Sequence, residues 1–132
     1  MAALNPHAGD NGKFGREEID LIEPVIESFK LKQMNVSGPW PSDTVFLKAQ
    51  RGEVDAVVTM YHDQGQIAIK LLGFDRGVTV AGGLPIPIAT PAHGTAFDIA
   101  GKGIANAGAI QKAFELLIRM ATNQNLNNNG QD

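Results

Sequence analysis

Between residues 16 and 33 the apolar side chains Ile19, Ile22, Ile26 and Phe29 recur every three or four positions, the spacing that lays a single stripe along a helix. Glu17, Glu18 and Asp20 stand in the first turn of that segment, where the partial positive charge of a helix N-terminus favours carboxylates. The pattern predicts a helix over 16–33 that kinks or breaks near Pro24, because proline lacks an amide hydrogen and its ring crowds the preceding turn. Elsewhere the period changes. "DAVVTM" at 55–60 is continuous and β-branched, as in a strand covered on both faces. "AALN" at 2–5 is a shorter apolar run that enters the glycine-punctuated loop "PHAGDNGKFG". A short helix through "TVFLKAQRG" is opened by Ser42 or Asp43, and "DQGQIAIKLLGF" reads as a helix stopped by Gly73. "GVTVAGG" reads as a strand, "PIPIATP" as an extended loop and "NAGAIQKAFELLIRMATN" as a closing helix. Strands alternating with helices predict an α/β layered fold with a mostly parallel sheet. Residues 122–132 are polar, have almost nothing to bury, and are expected to be a disordered tail.

Composition narrows the function more than the fold. At 132 residues the chain is one domain by size. A formal net charge of -3 without a run of lysine or arginine argues against nucleic acid or a membrane surface as partner. The absence of cysteine excludes disulfides, thiolate metal sites and a cysteine nucleophile, and agrees with a reducing cytoplasm. No stretch approaches the ~18 apolar residues of a membrane span, and "MAALNPHAGD" has neither the basic start nor the apolar body of a signal peptide. The expectation is a soluble, cytoplasmic protein that works on a small molecule.

His7 and His62 both follow the ends of apparent strands, the edge of an open α/β sheet where ligands bind. With Asp63 and Asp43 as ligands or orienting partners, two imidazoles there suit a divalent metal; equally, each histidine can serve as a simple loop cap. Gly9, Gly12 and Gly15 lead into a helix whose free amides suit an anion, although Phe14 stands where a nucleotide-triphosphate loop needs serine or threonine. In "PAHGTAFDIAGKGIANAGA", residues 91–109, small side chains at Gly94, Ala96, Ala100, Gly101 and Gly103 allow close backbone approach to a flat ligand. His93, Asp98 and Asn106 supply hydrogen-bonding edges, a combination that suits an adenine and ribose.

That last stretch resembles the nucleotide loop of the isocitrate and isopropylmalate dehydrogenases. "LNPHAGDNGKFGREEID", "GPWPSDT", "YHDQGQIAIK", "GFDRGVTVAGGLP" and "HGTAFDIAGKG" occur in the same order as in the 4-hydroxythreonine-4-phosphate dehydrogenase family, over about residues 2–121. The resemblance implies the isocitrate/isopropylmalate dehydrogenase-like fold, here residues 1–121 as its C-terminal portion. It also implies an NAD- and divalent-metal-dependent (Zn, Mn, Co or Mg) oxidation of a phosphorylated hydroxy acid, followed by loss of its carboxylate. By the same resemblance His7 and His62 are metal ligands, Asp43 and Asp63 are carboxylates beside the centre, and Lys70 contacts substrate and relays a proton. His93, Gly94, Thr95, Ala96, Asp98 and Asn106 form the NAD loop, and a homodimer is implied.

Two departures shape the expectation. Where the vitamin B6 pathway enzyme has an asparagine and an arginine on the substrate, this chain has Thr79 and Ile88. The lost guanidinium removes a bidentate anion clamp, and the segment "GGLPIPIATPAHGTAFDIAGKG" is more similar to the paralogues that act on 4-phospho-D-threonate or 4-phospho-D-erythronate. A branch that acts on terephthalate dihydrodiol ranks lower. The chain also opens in the middle of the family pattern, one metal histidine short, which predicts weak metal binding and little activity for this chain alone. The alternative is a dimerisation or nucleotide-binding module without catalysis.

Overall fold

A computed structural model describes residues 1–128. The chain divides into two compact units, Met1–Ala68 and Ile69–Asp132, where length alone predicts one domain.

In the first unit, the extended segment at the N-terminus lies between two others. Ala3 donates its amide to the Trp40 carbonyl at 2.8 Å, Trp40 donates back to Met1 at 3.0 Å, and Ala2 donates to Val58 at 2.8 Å. Ala2 and Trp40 pair in parallel. Ala2 and Ala3 are fully buried, and Ile22, Ile26 and Val45 are buried in the same unit. Ile26 comes from α1, Glu23–Leu31, and Val45 from α2, Val45–Gln50. The predicted stripe is thus buried at Ile22 and Ile26, whereas Ile19 stays exposed.

The helix expected over 16–33 is built in two registers. A π-helical turn at Glu18–Ile22 precedes α1, and the Glu23 amide reaches back to the Glu18 carbonyl. Pro24 follows directly, near the N-terminus of α1. The wide turn gives its ring room, which is how a proline is accommodated without ending the helix.

The expected two-sided strand at 55–60 is not one. It is extended but receives only the Ala2 hydrogen bond, and Val58 is 55 % exposed. A ladder needs a series of bonds to a neighbouring strand, and among the described residues the run meets its neighbour at the single Ala2–Val58 main-chain bond.

α3, His62–Gly73, contains the boundary between the units. In the second unit β1, Val78–Ala81, pairs antiparallel with β2, Ile88–Pro91, in the register Thr79 to Thr90 and Ala81 to Ile88. The segment read as an extended loop is therefore a strand. α4, Gly108–Asn128, packs against this hairpin and buries Ala109 and Ala113 one turn apart; their small side chains let the helix approach the strands closely. α4 continues into the segment expected to be disordered from 122, since adding turns to a formed helix costs little. The remainder of that tail, 129–132, lies outside the described residues. The α/β character expected from the sequence is present; among the described residues the one ladder is antiparallel and the parallel pairing is the Ala2–Trp40 bridge.

Candidate functional site at the two histidine loops

The first histidine sits on an unusual backbone. His7, Ala8, Asp10 and Asn11 all have φ between 43° and 56°, and Gly9 and Gly12 have φ of 81° and 90°. A run of non-glycine residues in the left-handed region costs roughly 1 kcal/mol or more apiece, so something must hold it. Within the loop, Gly9 accepts from the amides of Gly12 and Phe14, and His7 from Asp10. Beneath it lies Glu18, 1 % exposed. Its Oε1 accepts from the amides of Leu4 at 2.8 Å and Asn5 at 2.7 Å, and its Oε2 accepts from the Asn5 side chain at 2.9 Å. Burial pushes the Glu18 carboxyl up, but the hydrogen bonds from Asn5 and Leu4 outweigh it and hold the group below the usual glutamate range. Gly9 packs against this carboxylate so closely that a Cβ there would lie 2.8 Å from Oε2. The clamp leaves His7 exposed above the turn, its ring 6.1 Å from that of Phe14.

The second histidine opens α3. His62 is exposed, and its Nδ1 lies 2.8 Å from Asp63 Oδ1. A carboxylate at that distance accepts from Nδ1–H, the kind of partner that orients a metal-ligating imidazole from its other ring nitrogen.

The two histidine-bearing segments run the same way. Ala2 meets Val58 directly, and one residue farther along the first segment and two along the second, Ala3 is joined to Met60 through the side chain of Gln64. His7 and His62 therefore leave the same end of neighbouring segments. The donor set fits a divalent cation in part: two imidazoles with a carboxylate behind one of them are the right chemistry, but an open catalytic site usually has three protein ligands. Among the described residues no group of three or more histidine, aspartate or glutamate side chains forms a metal-binding cluster. Asp43 is exposed in the turn before α2 and does not complete one.

The remaining predicted residues lie in the second unit. Lys70 is exposed in the last turn of α3. Thr79 and Ile88 are brought together: antiparallel register places Thr79, Ala81, Ile88 and Thr90 on one face of the hairpin, and Thr79 and Ile88 are exposed there. Gly94, Thr95, Ala96 and Asp98 lie on an exposed loop and short 3₁₀ turn. His93 Nδ1 is 2.9 Å from the Gly94 carbonyl, and Ala96 has φ 49°. Asn106 has a structural task already, since its Oδ1 accepts from the Gly108 amide at 2.8 Å where α4 begins.

Sequence reasoning missed Glu18 and Gln64 as site-supporting residues. A signal for Glu18 was available: it stands one turn before Ile22 and two before Ile26 on the buried stripe, where a carboxylate must find internal donors. For Gln64 the only hint was its place in "YHDQG".

The family model described as "Pyridoxal phosphate biosynthetic protein PdxA" matches residues 1–117. A protein of Rhizobium meliloti (strain 1021), provisionally named 4-hydroxythreonine-4-phosphate dehydrogenase 2, is 63% identical over 121 residues, 92% of this chain and 35% of that protein. The D-threonate 4-phosphate dehydrogenase of Pectobacterium atrosepticum is 49% identical over 92% of this chain and 37% of its own length. Among solved structures, the 4-hydroxythreonine-4-phosphate dehydrogenase of Klebsiella pneumoniae superposes with a TM-score of 0.76 at 48% identity, covering 88% of this chain and 35% of that one. The chain thus spans little more than a third of the relatives it matches.

Proposed function

The chain belongs to the PdxA family, and from that premise we propose that it forms part of an NAD- and divalent-metal-dependent dehydrogenase acting on a small phosphorylated hydroxy acid. The observation that carries this reading is the 2.8 Å contact between His62 and Asp63, which presents an oriented imidazole at the same edge as the clamped His7. These two residues would hold the cation. When bound, a divalent ion there would supply Lewis-acid polarisation of the substrate hydroxyl, and NAD would supply the hydride acceptor. The chain's own residues do the rest. Glu18 and the left-handed turn fix His7, and Asp63 fixes the tautomer of His62. Asp43 adds negative charge near the centre, and Lys70 contacts the substrate and relays the hydroxyl proton. Thr79 and Ile88 form the substrate-facing edge, and His93, Gly94, Thr95, Ala96, Asp98 and Asn106 receive the nucleotide. Oxidation of the secondary alcohol and loss of the carboxylate as carbon dioxide complete the reaction.

Within this reading the substrate is 4-phospho-D-threonate or 4-phospho-D-erythronate, because Ile88 stands where the vitamin B6 enzyme places an arginine. A homodimer is part of the same proposal, supported by the exposed apolar side chains Ile110, Phe114 and Ile118 at four-residue spacing on α4. So is a cytoplasmic location, which the lack of cysteine supports. Among the described residues no helix is long and apolar enough to cross a membrane. One observation favours a second reading, a nucleotide-binding or dimerisation module without catalysis: the two histidines gather no third ligand among the described residues.

The test joins this chain to the remaining part of the Rhizobium meliloti relative and follows NAD reduction with a divalent cation. The dehydrogenase reading expects turnover of a phosphorylated four-carbon hydroxy acid. No NAD reduction with 4-phospho-D-threonate, 4-phospho-D-erythronate or 4-hydroxythreonine 4-phosphate, in a folded protein that still binds NAD, would favour the second reading.

A further inference from the structure

From Gly77 to Ala92 the chain carries no charged residue, and Thr79 and Thr90 are its only side chains with a polar group. The hairpin sets those two directly opposite one another. The Ala92 amide donates to the Gly77 carbonyl at 3.0 Å, and since hydrogen-bonded pairs alternate along an antiparallel ladder, the next such pair is Thr79 with Thr90. The same alternation puts Pro91, which has no amide to give, at a position that needs none. In a hydrogen-bonded pair each residue's main-chain groups are taken up by the other, so Thr79 and Thr90 offer a ligand only their side chains. Both are exposed. Facing side chains of such a pair stand roughly 4.5–5.5 Å apart at Cβ, close enough for two hydroxyls to reach one bound atom. Ala81 and Ile88 complete the face and contribute apolar surface alone.

A face of that composition discriminates by charge. A hydroxyl both donates and accepts, and two threonines can answer both functions. An ammonium only donates, and once out of water it needs a counter-charge, which this face does not carry. We propose that Thr90 is a specificity residue: with Thr79 it binds the hydroxyl that a phosphorylated sugar acid carries at the carbon where 4-hydroxythreonine 4-phosphate carries its amino group. The inference rests on the reading given above, in which Thr79 and Ile88 face the substrate. It extends that reading from the anion clamp missing at Ile88 to recognition of a neutral group by the threonine pair. Thr90 touches the substrate and takes no part in the oxidation itself.

The experiment measures kcat/KM of the joined protein for 4-hydroxythreonine 4-phosphate and for the better of the two sugar acids, 4-phospho-D-threonate or 4-phospho-D-erythronate. Thr90→Val keeps the β-branched shape that suits the strand and deletes the hydroxyl. It should lower kcat/KM for the sugar acid roughly 3- to 10-fold, the size of one neutral hydrogen bond, and leave that for the amino acid nearly unchanged. Thr90→Ser should restore the ratio of the two. Thr90→Asp supplies the missing counter-charge and should move the ratio toward the amino acid by about tenfold or more. Val80→Thr places a hydroxyl on the opposite face of the hairpin and should leave the ratio alone. Equal losses for both substrates in Thr90→Val would make Thr90 a strand residue only and overturn the inference, as would a preference for the amino acid in the unsubstituted protein. If Thr90→Val does not fold, Thr90→Asp decides, and an unmoved ratio there overturns it. No turnover of either acid by the folded, unsubstituted protein would remove the dehydrogenase reading and this inference with it, a result distinct from one confined to the Thr90 variants.

Discussion

Glu18 grips Asn5 twice, its Oε1 taking the backbone amide at 2.7 Å and its Oε2 the side-chain amide at 2.9 Å. A buried carboxylate with three amide donors from Leu4 and Asn5 is satisfied only while the chain entering the His7 turn keeps its path. Glu18→Gln would turn one accepting oxygen into an amide that faces another donor. The predicted cost is about 1–3 kcal/mol, read from urea unfolding at neutral pH. An unchanged midpoint would show that the clamp contributes nothing.

The same carboxylate fixes a pH dependence. Its folded-state pKa lies below the ordinary value of 4.5, so its contribution is fully present above that value and is lost as pH falls through the lowered one. The unsubstituted chain should therefore lose stability on acidification below the usual glutamate range more steeply than Glu18→Gln. Parallel curves for the two would contradict the assignment.

Two glycines with positive φ separate backbone strain from crowding. Gly9 has φ 81° and would place a Cβ 2.8 Å from Glu18 Oε2 and 3.0 Å from the Gly15 carbonyl, whereas Gly52 has φ 73° and open space. Alanine at either carries the strain of a left-handed residue, roughly 1–3 kcal/mol, and only Gly9→Ala also disturbs the clamp. Thermal unfolding should rank Gly9→Ala clearly below Gly52→Ala. Equal losses would mean that the His7 turn does not depend on close approach to Glu18.

At Asn106 a capping role and a nucleotide role can be told apart. Asn106→Ala removes the acceptor for the Gly108 amide and should cost about 0.5–2 kcal/mol of stability. Asn106→Asp keeps that acceptor but adds a negative charge, which an anionic nucleotide received there as proposed would meet unfavourably. Calorimetry with NAD should find stability retained and binding weakened in Asn106→Asp. Unaltered binding there would leave Asn106 as a cap alone.

Much of the first unit was legible because local spacing decides it. Ile22 and Ile26 fall one turn apart and are buried as the stripe requires, and both histidines follow extended segments that do lie side by side. What the pattern hid depends on partners distant in sequence. The role of Gln64 rests on Ala3, 61 positions away, and that of Glu18 on Leu4 and Asn5. Neither leaves a periodic trace. The π turn ahead of Pro24 is a register shift that a helical stripe absorbs without changing its apolar spacing much. At 55–60 the composition of a buried strand is present, but pairing is a property of neighbours rather than of the run itself. For the site, the pattern identified which residue types could bind a cation or a nucleotide; convergence of a third ligand could not be read from it.

Ile88 and Thr79 share one face of the β1–β2 hairpin, which makes substrate choice testable. In the chain joined to its relative's remaining part, Ile88→Arg should shift kcat/KM toward 4-hydroxythreonine 4-phosphate by roughly one to two powers of ten, the usual size of a charge-assisted pair. No shift would place the specificity elsewhere.

The central claim is that His7 and His62 hold one divalent cation in the assembled protein, from one chain or from two subunits. Zn²⁺ titration calorimetry on that joined protein, on His7→Ala, on His62→Ala and on the double variant tests it without reference to turnover. Ligands of one ion are strongly non-additive, so either single substitution should abolish most of the binding and the double variant should lose little more. Two independent losses that simply add, or Zn²⁺ binding that survives in the double variant with its original affinity and stoichiometry, would contradict the account.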